Sequence, residues 1–188
     1  MSVRGIGEQR GDAVYDPVVR CLHWLNATVA LATILLAWCI LGAPRHSAAR
    51  DWLIMLHGSF GIVILVLVLF WMGWRLRRPS PALHPVLSWV EVALARATQM
   101  AIILLFVAMP LSGYVGLAAA GKAVSLFGIV QIPSLVPEGG RLAQTAIALH
   151  LLGEFMIYGL VALHISAAAL HGFIRRDGIL ERMLPRRP

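Results

Sequence analysis

Charge is the scarcest property of this 188-residue chain. Only 13% of its residues are charged, where a soluble domain carries roughly 25%. Nine acidic residues stand against sixteen basic ones, leaving a net charge of +7. Cysteine is almost absent too. Cys21 and Cys39 fall eighteen residues apart in one apolar run. On a helix that is about 27 Å, too far for a disulfide. No CxxCH occurs, so nothing signals covalently attached c-type haem. The chain shows no internal repeat, no low-complexity tract and no cleavable signal. Its first twenty residues are polar, and no small-residue cleavage pattern closes the first apolar run, so the first helix is expected to be retained.

What the chain has instead is hydrocarbon. It is 59% hydrophobic, with a mean hydropathy of +0.79. Four runs, roughly 22–41, 52–74, 100–120 and 146–174, hold the ~20 mostly apolar residues that a bilayer crossing demands. The stretch from Ala123 to Val136 is apolar as well, but Gly128, Pro133 and Pro137 break it. It is expected to be a loop lying at the interface. The fold expected is all-α, an integral membrane four-helix bundle formed by a single domain over 1–188. Its helices are expected near 17–42, 52–76, 90–120 and 144–175. Pro110 should kink the third span.

The basic residues give an orientation. Arg4, Arg10, Arg20, Arg75, Arg77, Arg78, Arg96, Arg175, Arg176, Arg182, Arg186 and Arg187 fall on one side of a four-span topology. Only Arg45, Arg50, Lys122 and Arg141 fall on the other. This bias places both termini in the cytoplasm. The arginines flank spans and do not interleave with aromatics, so anionic lipid headgroups are the expected partners and nucleic acid is not. Trp24, Trp38, Trp52, Trp71, Trp74 and Trp89 lie mostly near span ends, as interfacial anchors do.

Histidine is the residue that carries chemistry. His150 and His164 are fourteen residues apart, which returns them to nearly one helix face about 21 Å apart along the axis. His23 and His57 sit in two further spans. A lone intramembrane imidazole is equally well explained by an interhelical hydrogen bond. Four of them at two depths are a different matter. The topology puts His57 and His150 near the outer side, and His23 and His164 near the inner side. Two neutral imidazoles from facing helices are the axial ligands of a low-spin haem. The pairs are too far apart, and too poor in carboxylate or thiolate, to suit other metal sites. The four histidines thus read as axial iron ligands of two bis-histidine haem sites.

Glycines, serines and alanines follow these histidines: Gly58, Ser59 and Gly61; Gly153; Ser166 and Ala167 to Ala169. They suit a flat macrocycle and ordinary close helix packing equally. His171, seven residues beyond His164, is open to three readings: an alternative ligand, a propionate contact or an interfacial residue. His46 and His84 fall in loops. Glu154, the one carboxylate deep in an apolar run, reads equally as a proton relay or as a hydrogen-bonding group within the bundle.

From Tyr15 to Pro185 the chain resembles the bacterial di-haem cytochrome b561 proteins, which are related to the b-type subunits of nickel–iron hydrogenases. The resemblance is carried by Tyr15-Asp16-Pro17 with Leu22-His23-Trp24, by Leu56-His57-Gly58-Ser59-Phe60-Gly61, and by Met109-Pro110-Leu111-Ser112-Gly113. His150 and His164 at their fixed interval follow, and Leu180-Glu181-Arg182-Met183-Leu184-Pro185 closes it. It implies two b haems ligated by His23, His57, His150 and His164, in the bacterial inner membrane. It also implies electron transfer across that membrane and exchange with the quinone pool, ubiquinone being the candidate substrate. Some members oxidise superoxide at the outer face and would be oxidoreductases. Others are electron-carrying anchors for a separate periplasmic or membrane redox subunit, and that remains the alternative here. Two positions depart from the family. Gln99 stands where a third-helix histidine is frequent, and Trp71 where an arginine is frequent, with Arg75 one turn on.

Overall fold

The computed structural model describes residues 14–78 and 87–184. The polar N-terminus with Arg4 and Arg10, the proline-rich connection with His84, and the closing Pro185, Arg186 and Arg187 lie outside the described residues. Four long helices dominate: α1 (Pro17–Gly42), α2 (Ala48–Arg77), α3 (Trp89–Ala119) and α4 (Gly140–Ala169). Helix α4 continues as a π-turn over Leu170–Arg175. All four are long and apolar enough to cross a membrane.

The starts of the helices follow from local chemistry. Asp16 accepts a hydrogen bond from the Val18 N–H, and Pro17 occupies the first turn, where no amide donor is needed. Ser47 caps α2 through the Arg50 N–H, so that helix begins at Ala48, a polar turn earlier than hydropathy places it. Ser88 and Glu91 form a reciprocal capping box at α3. Pro110 sits inside α3 without ending it, as membrane helices tolerate.

Sequential helices pack on one another, whereas the α1 and α4 backbones stay apart and meet mainly through side chains. Burial follows the logic of a lipid solvent. The interior mixes small residues such as Ala30, Ala118, Ala119, Ala146 and Gly153 with Leu22, Ile64, Val68 and Ile157, and among the described residues Ser59 alone is completely buried. Leu35, Leu41, Val66, Phe70, Leu104 and Phe155 face outward. Tails of lipid are as apolar as leucine, so close backbone approach, and not large-residue burial, brings such helices together.

The segment after α3 corrects one expectation. The apolar stretch from Ala123 to Val136 contains an antiparallel hairpin, β1 (Val124–Leu126) with β2 (Val130–Ile132), paired Val124 to Ile132 and Leu126 to Val130. Its turn runs through Phe127 (φ 50°) and Gly128 (φ 72°), and the Ile129 N–H closes it onto the Leu126 carbonyl. Two successive positive φ values match the twist of the strands. Ser59 of α2 anchors the hairpin: its Oγ accepts the Phe127 N–H at 2.8 Å and donates to the Met55 carbonyl.

At the opposite end of the bundle the first and last described segments meet. The Tyr15 N–H donates to the Arg182 carbonyl, Arg20 to the Leu184 carbonyl at 2.6 Å, and the Trp24 indole to the Met183 carbonyl at 2.9 Å. The Tyr15 ring receives the guanidinium groups of both Arg75 and Arg182 on its faces. The bundle therefore has a hairpin end and a terminal end.

Candidate functional site

The four expected histidines converge two by two. At the hairpin end, His57 of α2 meets His150 of α4 with ring centroids 6.0 Å apart and planes at 76°. At the terminal end, His23 of α1 meets His164 of α4 at 6.1 Å and 64°. The antiparallel run of the helices makes this so. His23 lies near the start of α1, while His164 lies near the end of α4, so both fall at the terminal end.

Backbone carbonyls fix the outer pair. His57 Nδ1 lies 3.1 Å from the Thr33 carbonyl of α1, and His150 Nδ1 lies 3.0 Å from the Met109 carbonyl of α3. A carbonyl only accepts, so each Nδ1 carries the proton and each Nε2 presents a lone pair. Ser112 Oγ also donates to the Met109 carbonyl while lying 3.1 Å from His150 Nδ1. Gly113 makes space for the ring itself. A Cβ at that position would stand 3.1 Å from His150 Cε1. A side chain at Gly153 would run into Met109.

Around the outer pair lies a largely apolar cavity of about 380 Å³. Gly58 and Gly61 floor it, Glu154 and Tyr158 line one wall, and Arg50 and Lys122 stand at its hairpin side. Arg50 is committed to the end of α1, donating to the Ile40 and Ala43 carbonyls. Lys122 is exposed.

The remaining candidates are placed less centrally. His171 pairs with Asp177 at 2.6 Å beyond α4. Burial opposes the charge on Asp177, yet hydrogen bonds from His171 and the Ile179 N–H outweigh it and hold its carboxyl below the usual range. Arg75 stacks on Trp71 and Tyr15, Gln99 is exposed on α3, and His46 is exposed in the turn between α1 and α2. Both cysteines are free and exposed. Sequence reading missed the Thr33 and Met109 carbonyls, because a backbone group leaves no letter in the chain. It also missed the contact of Tyr158 with Glu154 and Trp38.

Four apolar helices with histidine pairs facing across them are the arrangement that a membrane cytochrome of b type requires. Residues 14–186 match the family model described as prokaryotic cytochrome b561, and the chain belongs to that family. It is 35% identical over 170 residues to a Yersinia pestis protein described as probable superoxide oxidase CybB, covering 88% of this chain and 93% of the relative. It is 30% identical over 170 residues to cytochrome b561 homolog 2 of Escherichia coli (strain K12), covering 90% of each. Cytochrome b561 homolog 1 of the same organism is 27% identical over 170 residues. The chain is thus a b-type cytochrome of the bacterial inner membrane, multi-pass and working in electron transfer.

Proposed function

We propose that this cytochrome carries two b haems, an outer one between His57 and His150 and an inner one between His23 and His164. The observation that supports this most directly is the separation of the rings. A metal–imidazole bond of about 2.0 Å on each side of an iron puts two ring centroids about 6 Å apart, and the pairs stand at 6.0 and 6.1 Å. Among the described residues no group of three or more His, Cys, Asp or Glu could hold a metal ion. Two imidazoles alone fall short of the four ligands zinc takes, whereas haem brings its own equatorial nitrogens.

Haem supplies one-electron chemistry, and the protein supplies ligation, burial and charge. Two histidines on one haem would leave no open position at iron, which favours outer-sphere transfer. His57 and His150 would hold the haem nearer the donor, at the hairpin end, which the arginine bias makes the outer face. His23 and His164 would hold the one nearer the quinone pool, at the cytoplasmic terminal end. Superoxide is the candidate donor. The name of the Yersinia relative suggests it, and exposed Arg45, Lys122 and Arg141 would draw a small anion to the outer end.

Haem per chain in purified protein, quantified by pyridine haemochrome beside a reduced-minus-oxidised spectrum, tests the reading. Near two b haems are expected, falling towards one in His57→Ala or His150→Ala. Superoxide-dependent quinone reduction by the isolated protein then tests donor and acceptor. Two haems without turnover would favour an anchor serving a separate redox subunit. A chain without haem after expression with ample haem supply would refute the proposal.

A further inference from the structure

A chain of three polar groups crosses from α1 to α4 beside the outer pair. Trp38 Nε1 donates to Tyr158 OH at 3.0 Å, and Tyr158 OH donates to Glu154 Oε1. The direction of the chain is fixed at its indole end. An indole N–H can only donate. The phenol oxygen therefore accepts from Trp38, its own proton points at Glu154, and the Glu154 oxygen is the acceptor. The Trp38 and Tyr158 rings meet edge to face at 6.0 Å, so the arrangement is held by packing as well.

No cation among the described residues pairs directly with Glu154. Among the described residues the ion pairs are His171 with Asp177 and Arg175 with Glu91, both at the terminal end. The other charged or titratable groups lining the same cavity are His57 and Arg50 from α2, Tyr114 from α3, Lys122 from the connection to the hairpin, and His150 and Tyr158 from α4. Arg50 is turned to carbonyls of α1, Lys122 is exposed to screening solvent, and Tyr114 donates to the Pro133 carbonyl. Glu154 acts electrostatically on both His57 and His150. Among the described residues, no carboxylate is found to act in this way on His23 or His164.

We propose that Glu154, held by Tyr158 and Trp38, places a negative charge beside the outer haem only and sets its potential below that of the inner haem. The inference rests on the two-haem reading. A fixed anion favours whichever redox state puts more positive charge between His57 and His150, and that is the ferric state. In a low-dielectric wall the preference is far larger than in water. One electron then passes downhill from the ferrous outer site, which becomes ferric, to the ferric inner site, which becomes ferrous. The chain's own asymmetry thereby gives electron flow an inward direction, and Glu154 acts as a positioning charge without being a catalytic residue.

The test is a spectroelectrochemical titration of the purified haem-loaded protein at pH 7, with the outer wave assigned as the one lost in His150→Ala. Wild type should show the outer wave at the lower potential. Glu154→Gln keeps an acceptor for Tyr158 but removes the charge. It should raise the ferrous-to-ferric ratio of the outer haem at least tenfold at fixed potential, 59 mV for one electron. The inner wave should stay in place. Should glutamine disturb the wall, Glu154→Ala reads the same upward shift. Two haems per chain with both waves unmoved in both variants, or an outer wave above the inner one in wild type, would overturn the inference. Fewer than two haems in wild type would instead refute the reading beneath it.

Discussion

Replacing Gly113 by alanine separates helix propensity from site geometry. By propensity alone the change should help, since alanine is favoured over glycine inside a helix by about 0.5–1 kcal/mol. The geometry opposes it. The new methyl would stand 3.1 Å from Cε1 and 3.3 Å from Nδ1 of His150, inside the 3.4–4 Å of ordinary van der Waals contact. The ring must retreat by a few tenths of an ångström. That strains the 3.0 Å contact of Nδ1 with the Met109 carbonyl and turns Nε2 off its line to His57. Disturbing the groups that orient a ligand typically costs 10–100-fold in metal affinity, about 1.4–2.8 kcal/mol. Haem loss to excess apomyoglobin, followed optically, measures this directly. One haem per chain should leave 10–100-fold faster, and the other should leave at the wild-type rate. Gly159→Ala is the control, because a Cβ there meets nothing within 4 Å. If Gly113→Ala released both haems at wild-type rates, the claim that this glycine positions His150 would be wrong.

Three further outcomes follow from the same contacts. Gly58 has open space where a Cβ would go and lines the outer cavity, so Gly58→Leu should fill the cavity and leave one haem per chain by haemochrome. Ser59→Ala removes the acceptor of the Phe127 N–H inside a fully buried site, at a cost of about 1–3 kcal/mol. Amide exchange in the hairpin should rise accordingly while the helices keep their protection. The carboxyl of Asp177 sits below its ordinary value in the folded protein, so its contribution to stability is present above the unfolded value of about 3.9 and is lost as pH falls through the lowered folded one. Limited acid proteolysis should therefore find the segment after α4 protected at pH 5 and opened well below pH 4, and Asp177→Asn should remove that dependence.

The four spans and the pairing of the histidines were legible because each rests on a single geometric rule. A bilayer demands a fixed apolar length, and an antiparallel bundle sets His23 opposite His164 and His57 opposite His150 by depth alone. Helix starts were less legible, since Ser47 and Gly139 begin α2 and α4 in polar turns that hydropathy discards. The hairpin was hidden for another reason. Gly128 reads as a breaker, yet paired with Phe127 in the left-handed region it is the turn that makes two strands possible. The contacts of His150 with Met109 and of Tyr158 with Trp38 depend on how α3, α4 and α1 are rotated, which no periodicity within one helix specifies.

The thin interior and the histidine pairs belong to one design. Lipid offers no hydrophobic reward for bringing leucines together, so this bundle keeps most of its large apolar residues outside and only a few, such as Leu22, Ile64 and Ile157, within. The price is that α1 and α4 scarcely touch by backbone. Across that gap stand two features: the His23–His164 pair, and the Trp38–Tyr158–Glu154 chain. A group binding between imidazoles of different helices ties together elements that packing alone leaves apart, and whatever binds only the folded arrangement stabilises it by mass action. In the outer pair, α2 and α4 carry the histidines while α1 and α3 hold them through Thr33 and Met109. All four helices are thereby committed to one site, and the geometry of the histidine pair and the integrity of the bundle become the same property.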